Sequence, residues 1–304
     1  MSVTDTYLQP DAPDPVLGES SVLEAVRRHA PWAGALLEVD ESGGEARSYH
    51  VEGDVVLKTQ RPHRLRPRTS LEKEALFLRE LERSGDFPVP KVLGYGHVEG
   101  IEYLCLSRMP GVAVKNATLD PAARAEALHE LGGVLRRIHA IDQTALNDSG
   151  LLPGDEGPAG LRTRIADTFE TLATTLGDNP SWNGAVDVRA LAAARLEATP
   201  DTTAPVAVHS NPGPEHTFID PTTGRFTGLI DFGDAYRSHP ALDLRPWTDP
   251  DDARNLLDGY HFDQAVPDGF EEVHRTGLII IELARAARGI RSTDETVAAL
   301  DRLV

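Results

Sequence analysis

Only one cysteine, Cys105, occurs in 304 residues, which excludes an intrachain disulfide and a thiolate metal cage. Lysine is scarce too: four stand among 30 basic residues, so each one is worth locating. Long apolar runs are missing. The longest, Gly277 to Ala284, is broken by Glu282 and falls far short of the roughly 20 residues a bilayer requires. The opening stretch MSVTDTYLQPDAPDP has no basic start and no apolar core, so no secretory signal is evident and a cytoplasmic protein is expected. Excess positive charge is absent as well. A formal net charge of −18 argues against nucleic acid or an anionic membrane as partner and suits cationic ligands or plain solubility. What remains, 40% hydrophobic and 26% charged residues, describes a globular chain long enough for two lobes.

Residues 1–18, rich in Pro, Asp and Ser, read as a mobile tail. A short helix is expected over Ser21 to His29, then strands at Gly34 to Asp40, Ser48 to Val51 and Asp54 to Thr59, the last two forming a hairpin. A helix follows, opened by a capping box of Thr69 with Glu72, carrying the apolar stripe Leu71, Ala75, Leu78 and Leu81 and stopped by Gly85. Strands at Val92 to Gly96 and Ile101 to Ser107 complete a β-rich N-terminal lobe over residues 19–107. The remainder, 108–304, is mainly helical. Asp120 caps and Pro121 opens one helix, and others are expected over Leu161 to Leu176, Val188 to Ala198 and Phe270 to Ile290. Short strands interrupt it between Val206 and Asp231, with a turn at Pro221 to Gly224. The fold class is therefore α+β, in two lobes.

Four features in chain order match the needs of phosphoryl transfer, which asks a protein chiefly to position phosphates and metal and to orient the acceptor hydroxyl. Ser42-Gly43-Gly44 lies between strands, where backbone N–H groups can approach phosphate; a plain turn explains the same residues. Lys58 ends the apolar strand Val55-Val56-Leu57 and can reach phosphates as a point charge. Glu74 shares the inward face of its helix, where a carboxylate needs a cation, and Lys58 is its natural partner. Finally, Val206 to Leu244 supplies His209, Asn211, His216 and Asp231. Asp231 emerges at a strand end ready for Mg2+, and His216 can offer nitrogen to a metal or a hydrogen bond to phosphate.

These motifs resemble the aminoglycoside phosphotransferase and related antibiotic kinase family, which has the protein-kinase-like fold. The family's catalytic loop reads His-Gly-Asp and continues to Asn or His; its metal motif is Ile-Asp-Phe/Trp-Gly. Here the corresponding residues are His209-Ser210-Asn211, His216 and Ile230-Asp231-Phe232-Gly233. The resemblance runs from about Gly34 to the C-terminus. It implies ATP or GTP as co-substrate with Mg2+ on Asp231 and His216, a Lys58–Glu74 ion pair, an adenine-facing hinge at Leu104, Leu106 and Arg108, and a structural role for Asp243. Serine for glycine at 210 is a mild departure. Asn211 in place of the catalytic Asp is a serious one: the amide keeps the shape but loses the proton acceptor, at an expected cost of about 10²–10⁴ in rate.

The expected activity is O-phosphorylation of a small hydroxylated molecule, an antibiotic of aminoglycoside type, conferring resistance. This chain then represents either an inactivated Asp-to-Asn form or a natural pseudo-kinase. The intact Lys58 and Asp231 favour the former. A metabolic kinase of the same fold and a silent nucleotide-binding module are the rivals; no Ala-Pro-Glu segment follows Asp231, against a protein kinase. Candidates to line the acceptor pocket are Asp234, Tyr236, Trp247, Asp249, Asp251, Asp252, Tyr260, Glu271 and Glu282, whose carboxylates would suit ammonium groups. Alternatively, Asp249, Asp251 and Asp252 form a helix start, and Trp247 and Tyr260 pack the core. The basic run Arg61, His63, Arg64, Arg66 and Arg68 is read as a solvated loop in preference to a phosphate contact.

Overall fold

The computed structural model describes residues 7–201, 204–261 and 265–303. Five antiparallel strands make the N-terminal sheet: β1 (Leu36–Asp40), β2 (Ala46–Val51), β3 (Val55–Gln60), β4 (Val92–Val98) and β5 (Ile101–Ser107), in the order β1-β2-β3-β5-β4. Period-two alternation gives this sheet two different faces. One face presents Tyr49, Val51, Val55, Leu57, Tyr103 and Cys105 to helix α1 (Glu19–Arg27), forming a small closed core. The other carries Lys58 and Leu104, which lie opposite each other on β3 and β5. Leu104 and Leu106 there join the main core of the molecule.

Helix α2 (Leu71–Ser84) bridges the two lobes through that main core, with Leu71, Ala75, Leu78 and Leu81 inward as their spacing predicts. Its cap differs from expectation by one residue. Ser70 is the N-cap, accepting from the Lys73 N–H at 3.2 Å, while the Thr69 hydroxyl donates to the Asp234 carboxylate at 2.5 Å. A charged acceptor from the other lobe outcompetes the local helix end for the Thr69 hydroxyl.

The segment expected to hang free is anchored where it is described. Leu17 is buried in the α1 core and its N–H donates to the Tyr49 hydroxyl. Asp14 pairs with both Arg47 and Arg61, at 2.9 and 2.8 Å.

The C-terminal lobe is built on α3 (Pro121–His139), capped by Asp120 on the N–H groups of Ala122 and Ala123. Helix α7 (Pro250–His261) crosses it at close range. A Cβ on Gly132 would fall 2.2 Å from the Leu256 carbonyl oxygen, and one on Gly259 would fall 1.9 Å from that of His129, so two glycines permit the crossing. The remaining helices are α4 (Thr144–Asp148), α5 (Gly160–Gly177), α6 (Val188–Ala198), α8 (Phe270–Ala287) and α9 (Thr293–Leu300). Helix α8 stops three residues short of the expected Ile290, because Gly289 turns into the left-handed region at φ 68°. Short strands lie where the lobes meet: β6 (Val112–Ala113), β8 (Thr217–Ile219) and β9 (Phe226–Leu229) form one sheet, and β7 (Val206–Val208) pairs with β10 (Tyr236–Ser238). β7 runs into His209-Ser210-Asn211 and β9 into Ile230-Asp231, so the two chemistry-bearing loops emerge side by side between the lobes.

Candidate functional site

Lys58 is the centre of the cleft. Its ammonium donates to Glu74 at 2.7 Å and to Asp231 at 2.8 Å, joining β3, α2 and the loop after β9. Burial alone would favour neutral lysine, but Asp231 and then Glu74 outweigh it and hold the ammonium well above the usual lysine range. Glu74, 1% exposed, is pushed up by burial and held down by Lys58. Asp231 sits in the left-handed region at φ 72°, which turns its side chain into the cleft. Its side chain is 41% exposed. Enclosure raises its carboxyl, yet Lys58, the cation in direct contact with it, wins and keeps it ionised well below the usual range.

His216 faces Asp231 across 3.3 Å from Nε2 to Oδ2. Its other ring nitrogen lies 2.8 Å from the Asn211 carbonyl oxygen, which can only accept, so Nδ1 carries the proton. In the neutral ring Nε2 is then a lone pair beside a carboxylate oxygen. Two acceptors in contact are poorly satisfied by each other and well suited to a cation between them. Among the described residues no three His, Cys, Asp or Glu side chains form a ligand cage. Asp231 and His216 could thus supply two ligands to a cation whose remaining ligands come from outside the protein.

The catalytic-position loop is held by backbone contacts. Asp243, fully buried, accepts from the His209 N–H at 2.6 Å and the Ser210 N–H at 2.7 Å. His139 of α3 approaches the same carboxylate at 2.9 Å and reaches the Tyr260 hydroxyl with its other nitrogen. Burial, against the pull of Asp243, drops His209 to about 4; its neutral ring bridges the Ile230 carbonyl and the Asn211 N–H. His209 therefore aligns the two loops and holds no labile proton at neutral pH. Ser210 has φ 86°, a region that favours glycine. The replacement anticipated as mild places a Cβ in a strained backbone. The Asn211 side chain makes no hydrogen bond among the described residues and lies over Gly213.

Ser42, Gly43 and Gly44 occupy the exposed turn joining β1 to β2, with the Ser42 N–H on Asp40. Leu104 and Leu106 are buried within β5, and the chain leaves the sheet at Arg108, whose N–H donates to Asp54. The acceptor candidates disperse. Asp234 and Tyr236 stand beside the cleft. Trp247 is buried and its indole N–H donates to the Pro212 carbonyl at 2.8 Å, bracing the loop from behind. Asp249 caps α7, while Asp252 pairs with Arg124. Tyr260 stacks on Phe270, Glu271 is exposed at the start of α8, and buried Glu282 pairs with Arg285 and Arg291.

Within the run from Arg61 to Arg68, Arg64 and Arg68 are exposed as a solvated loop would have them, but Arg61 and Arg66 are not. Arg61 pairs with Asp14, and Arg66 bridges Glu45, next to the glycine turn, and Asp234 after the metal motif, the latter at 2.7 Å. Lys73, 1% exposed and lowered to about 8 by burial, donates to the carbonyls of Arg68 and Ala235. Sequence reading missed Arg66, Glu45 and Thr69 as a clasp on Asp234. Their only signal was the unusual density of arginine.

A sequence model described as the phosphotransferase enzyme family matches residues 37–270. Among solved structures, a GDP complex of an aminoglycoside 2′-phosphotransferase-IIIa is 17% identical, spans 94% of this chain and 98% of its own, and superposes with a TM-score of 0.64. A macrolide 2′-phosphotransferase from Brachybacterium faecium, solved as apoenzyme, is 21% identical over 91% of this chain and 97% of its own, with a TM-score of 0.61. An APH(2″)-IIa ternary complex with streptomycin and ATP is 15% identical over 95% and 97%, with a TM-score of 0.59. At these identities the likeness establishes a common two-lobed kinase-like fold.

Proposed function

Because the chain belongs to the phosphotransferase enzyme family, we propose that it uses ATP or GTP to phosphorylate a hydroxyl of a small molecule of the antibiotic class, at a rate depressed by Asn211. The observation that carries this reading is the convergence of Lys58, Glu74, Asp231 and His216 within hydrogen-bonding range beside the loop that bears Asn211. Phosphorylation of an antibiotic inside the cell would confer resistance, and a cytoplasmic location fits a nucleotide-dependent reaction. No helix among the described residues is long and apolar enough to cross a membrane.

In this mechanism Lys58 grips the nucleotide phosphates while Glu74 fixes its rotamer from behind. Backbone N–H groups of Ser42, Gly43 and Gly44 approach the phosphates from above, and Leu104, Leu106 and Arg108 border the base. Asp231 and His216 would hold Mg2+, which neutralises phosphate charge when bound. His209 and Asp243 keep the acceptor loop in register. Asn211 meets the acceptor hydroxyl with an amide, which can orient it and cannot take its proton.

Asn211 is best explained as an inactivating replacement in an otherwise complete site. The test is Asn211→Asp assayed for nucleotide turnover against aminoglycosides, macrolides, peptide and nucleoside antibiotics, and common hydroxylated metabolites. Turnover confined to a metabolite would make the chain a metabolic kinase. Mg·ATP binding without turnover of any acceptor would instead favour the silent nucleotide-binding reading, which Asn211 itself recommends.

A further inference from the structure

Behind the loop that carries Asn211, positive charge collects without its complement. Tyr236 begins β10 and lies opposite Val208 of β7, one residue before His209. The Arg164 guanidinium lies 4.5 Å from its ring centroid, and that of Arg68 lies 5.2 Å away. Arg245, 8% exposed, reaches the Ser210 carbonyl at 3.4 Å and acts on the same tyrosine. Carboxylates are too few for these cations. Asp155 serves Arg164 at 2.9 Å. Asp243 spends its oxygens on the N–H groups of His209 and Ser210 and on His139. Among the described residues neither Arg68 nor Arg245 pairs with a carboxylate.

The tyrosine itself points to a ligand. It is 2% exposed, and among the described residues its buried hydroxyl has no hydrogen-bond partner, although the Arg164 guanidinium lies over its ring. Burial raises the phenol, but Arg164 and Arg245 overcome that and draw it below its usual value. Arg68 is lowered by burial and by the same two arginines, the mark of cations crowding one another. A buried donor without an acceptor and the buried Arg245 guanidinium without counter-charge are costly unless an anion completes them. Arg68 is exposed as a residue while its guanidinium leans over the tyrosine.

We propose that Tyr236, Arg68 and Arg245, with Arg164 behind them, form a subsite for a carboxylate or phosphate group carried by the acceptor beside the hydroxyl that meets residue 211. Its link to an acceptor rests on the phosphotransferase reading above; the anion site itself does not. This chemistry differs from that expected of a polyamine. The carboxylates that would attract ammonium groups are used elsewhere, as helix caps and as buried ion pairs, and guanidinium forks match planar oxyanions in two-point contact.

Two measurements test it. In the first, the full chain is saturated with Mg·ADP to fill the nucleotide cleft and titrated calorimetrically with inorganic phosphate. One phosphate is expected to bind. Arg245→Gln and Tyr236→Phe should each weaken it by about tenfold, the worth of one charge-assisted hydrogen bond. Arg68→Gln, at an exposed position that tolerates change, should do the same, so the result does not depend on a variant that fails to fold. Absence of phosphate binding, or equal binding by all three variants, overturns the subsite. In the second, Asn211→Asp is screened with hydroxylated carboxylates and phosphomonoesters against their uncharged amides and alcohols. Acidic acceptors should be preferred, and adding Arg68→Gln should raise their KM about tenfold with kcat less affected. Equal turnover of uncharged acceptors overturns the assignment to the acceptor and leaves a site for free anion. No turnover of any acceptor, with phosphate binding intact, overturns the transferase reading and leaves the anion site standing.

Discussion

The two sides of the cleft are finished to different degrees. Around Lys58 charge is met by charge: Lys58 by Glu74 and Asp231, Arg66 by Glu45 and Asp234. Around Asn211, among the described residues, the Asn211 side chain has no partner, Ser210 holds a glycine-like backbone, the Tyr236 hydroxyl is unsatisfied and Arg68 and Arg245 lack carboxylates. A closed electrostatic network positions its members before any ligand arrives. An open one is completed by its ligand, and substitutions there cost chemistry without loosening the fold. On the proposed function, the difference would let a chain keep the Lys58 network intact around a position 211 that lacks a carboxylate.

The comparison is tested most strongly at residue 211. Asn211→Asp should raise nucleotide turnover with a competent acceptor by about 10²–10⁴, by restoring a proton acceptor. Mg·ATP affinity, measured by titration calorimetry, should stay within about threefold, since residue 211 lies outside the Lys58 network. A large change in affinity would mean that the two sides are not separate. The converse variant, Asp231→Ala, should weaken Mg·ATP by about 100-fold, since it removes both the proposed metal ligand and one of the two carboxylates on Lys58. If instead it binds nucleotide normally, Asp231 is a structural residue and the cleft has been misjudged.

What could be read from the sequence follows the same division. Lys58, Glu74 and Asp231 lie where local pattern points, although β3 runs on past Lys58 to Gln60. The structural role of Asp243 comes from the family resemblance, as does the metal-side place of His216. The arginine clasp was not. Arg61 finds Asp14 across 47 residues and Arg66 finds Asp234 across 168, and no local pattern announces a partner so far away. Taken alone, such residues look solvated. The same blindness put the α2 cap on Thr69, whose hydroxyl is claimed by a residue 165 positions later. Trp247 and Tyr260 take the second of the two places their residue type allows, in the core, and Glu282 is buried against Arg285 and Arg291. The strain at Ser210 was hidden too, since it is a property of φ.

A third prediction concerns stability and bears on both sides at once. His209, His239 and His274 are each lowered to about 4, chiefly by burial, against about 6.5 in an unfolded chain. A base whose folded value is depressed binds its proton more tightly when unfolded. Its neutral form therefore contributes full stability above pH 6.5, and that contribution is lost as pH falls from 6.5 toward 4. Each group is worth on the order of 3 kcal/mol at most. Urea unfolding at pH 7 and at pH 4.5 should show a steep loss in the parent chain. His274→Gln, on α8 and remote in sequence from both loops, should lose about 2 kcal/mol less over that interval. An identical loss in both would show that His274 titrates normally.

The smallest predicted effect separates strain from chemistry within the acceptor loop. Ser210 at φ 86° is kept there by Asp243 on its N–H and Arg245 on its carbonyl, both of which act through the backbone. Ser210→Gly keeps both contacts and removes the Cβ that the left-handed region disfavours, so it should stabilise the fold by about 1 kcal/mol despite the added freedom of the unfolded chain. Turnover should change little, because the loop geometry is already imposed, and the gain should be additive with Asn211→Asp only if the loop does not move when the carboxylate returns. Destabilisation by Ser210→Gly would mean that the serine hydroxyl makes a contact the fold depends on, and that the acceptor side is more complete than its unpaired groups indicate.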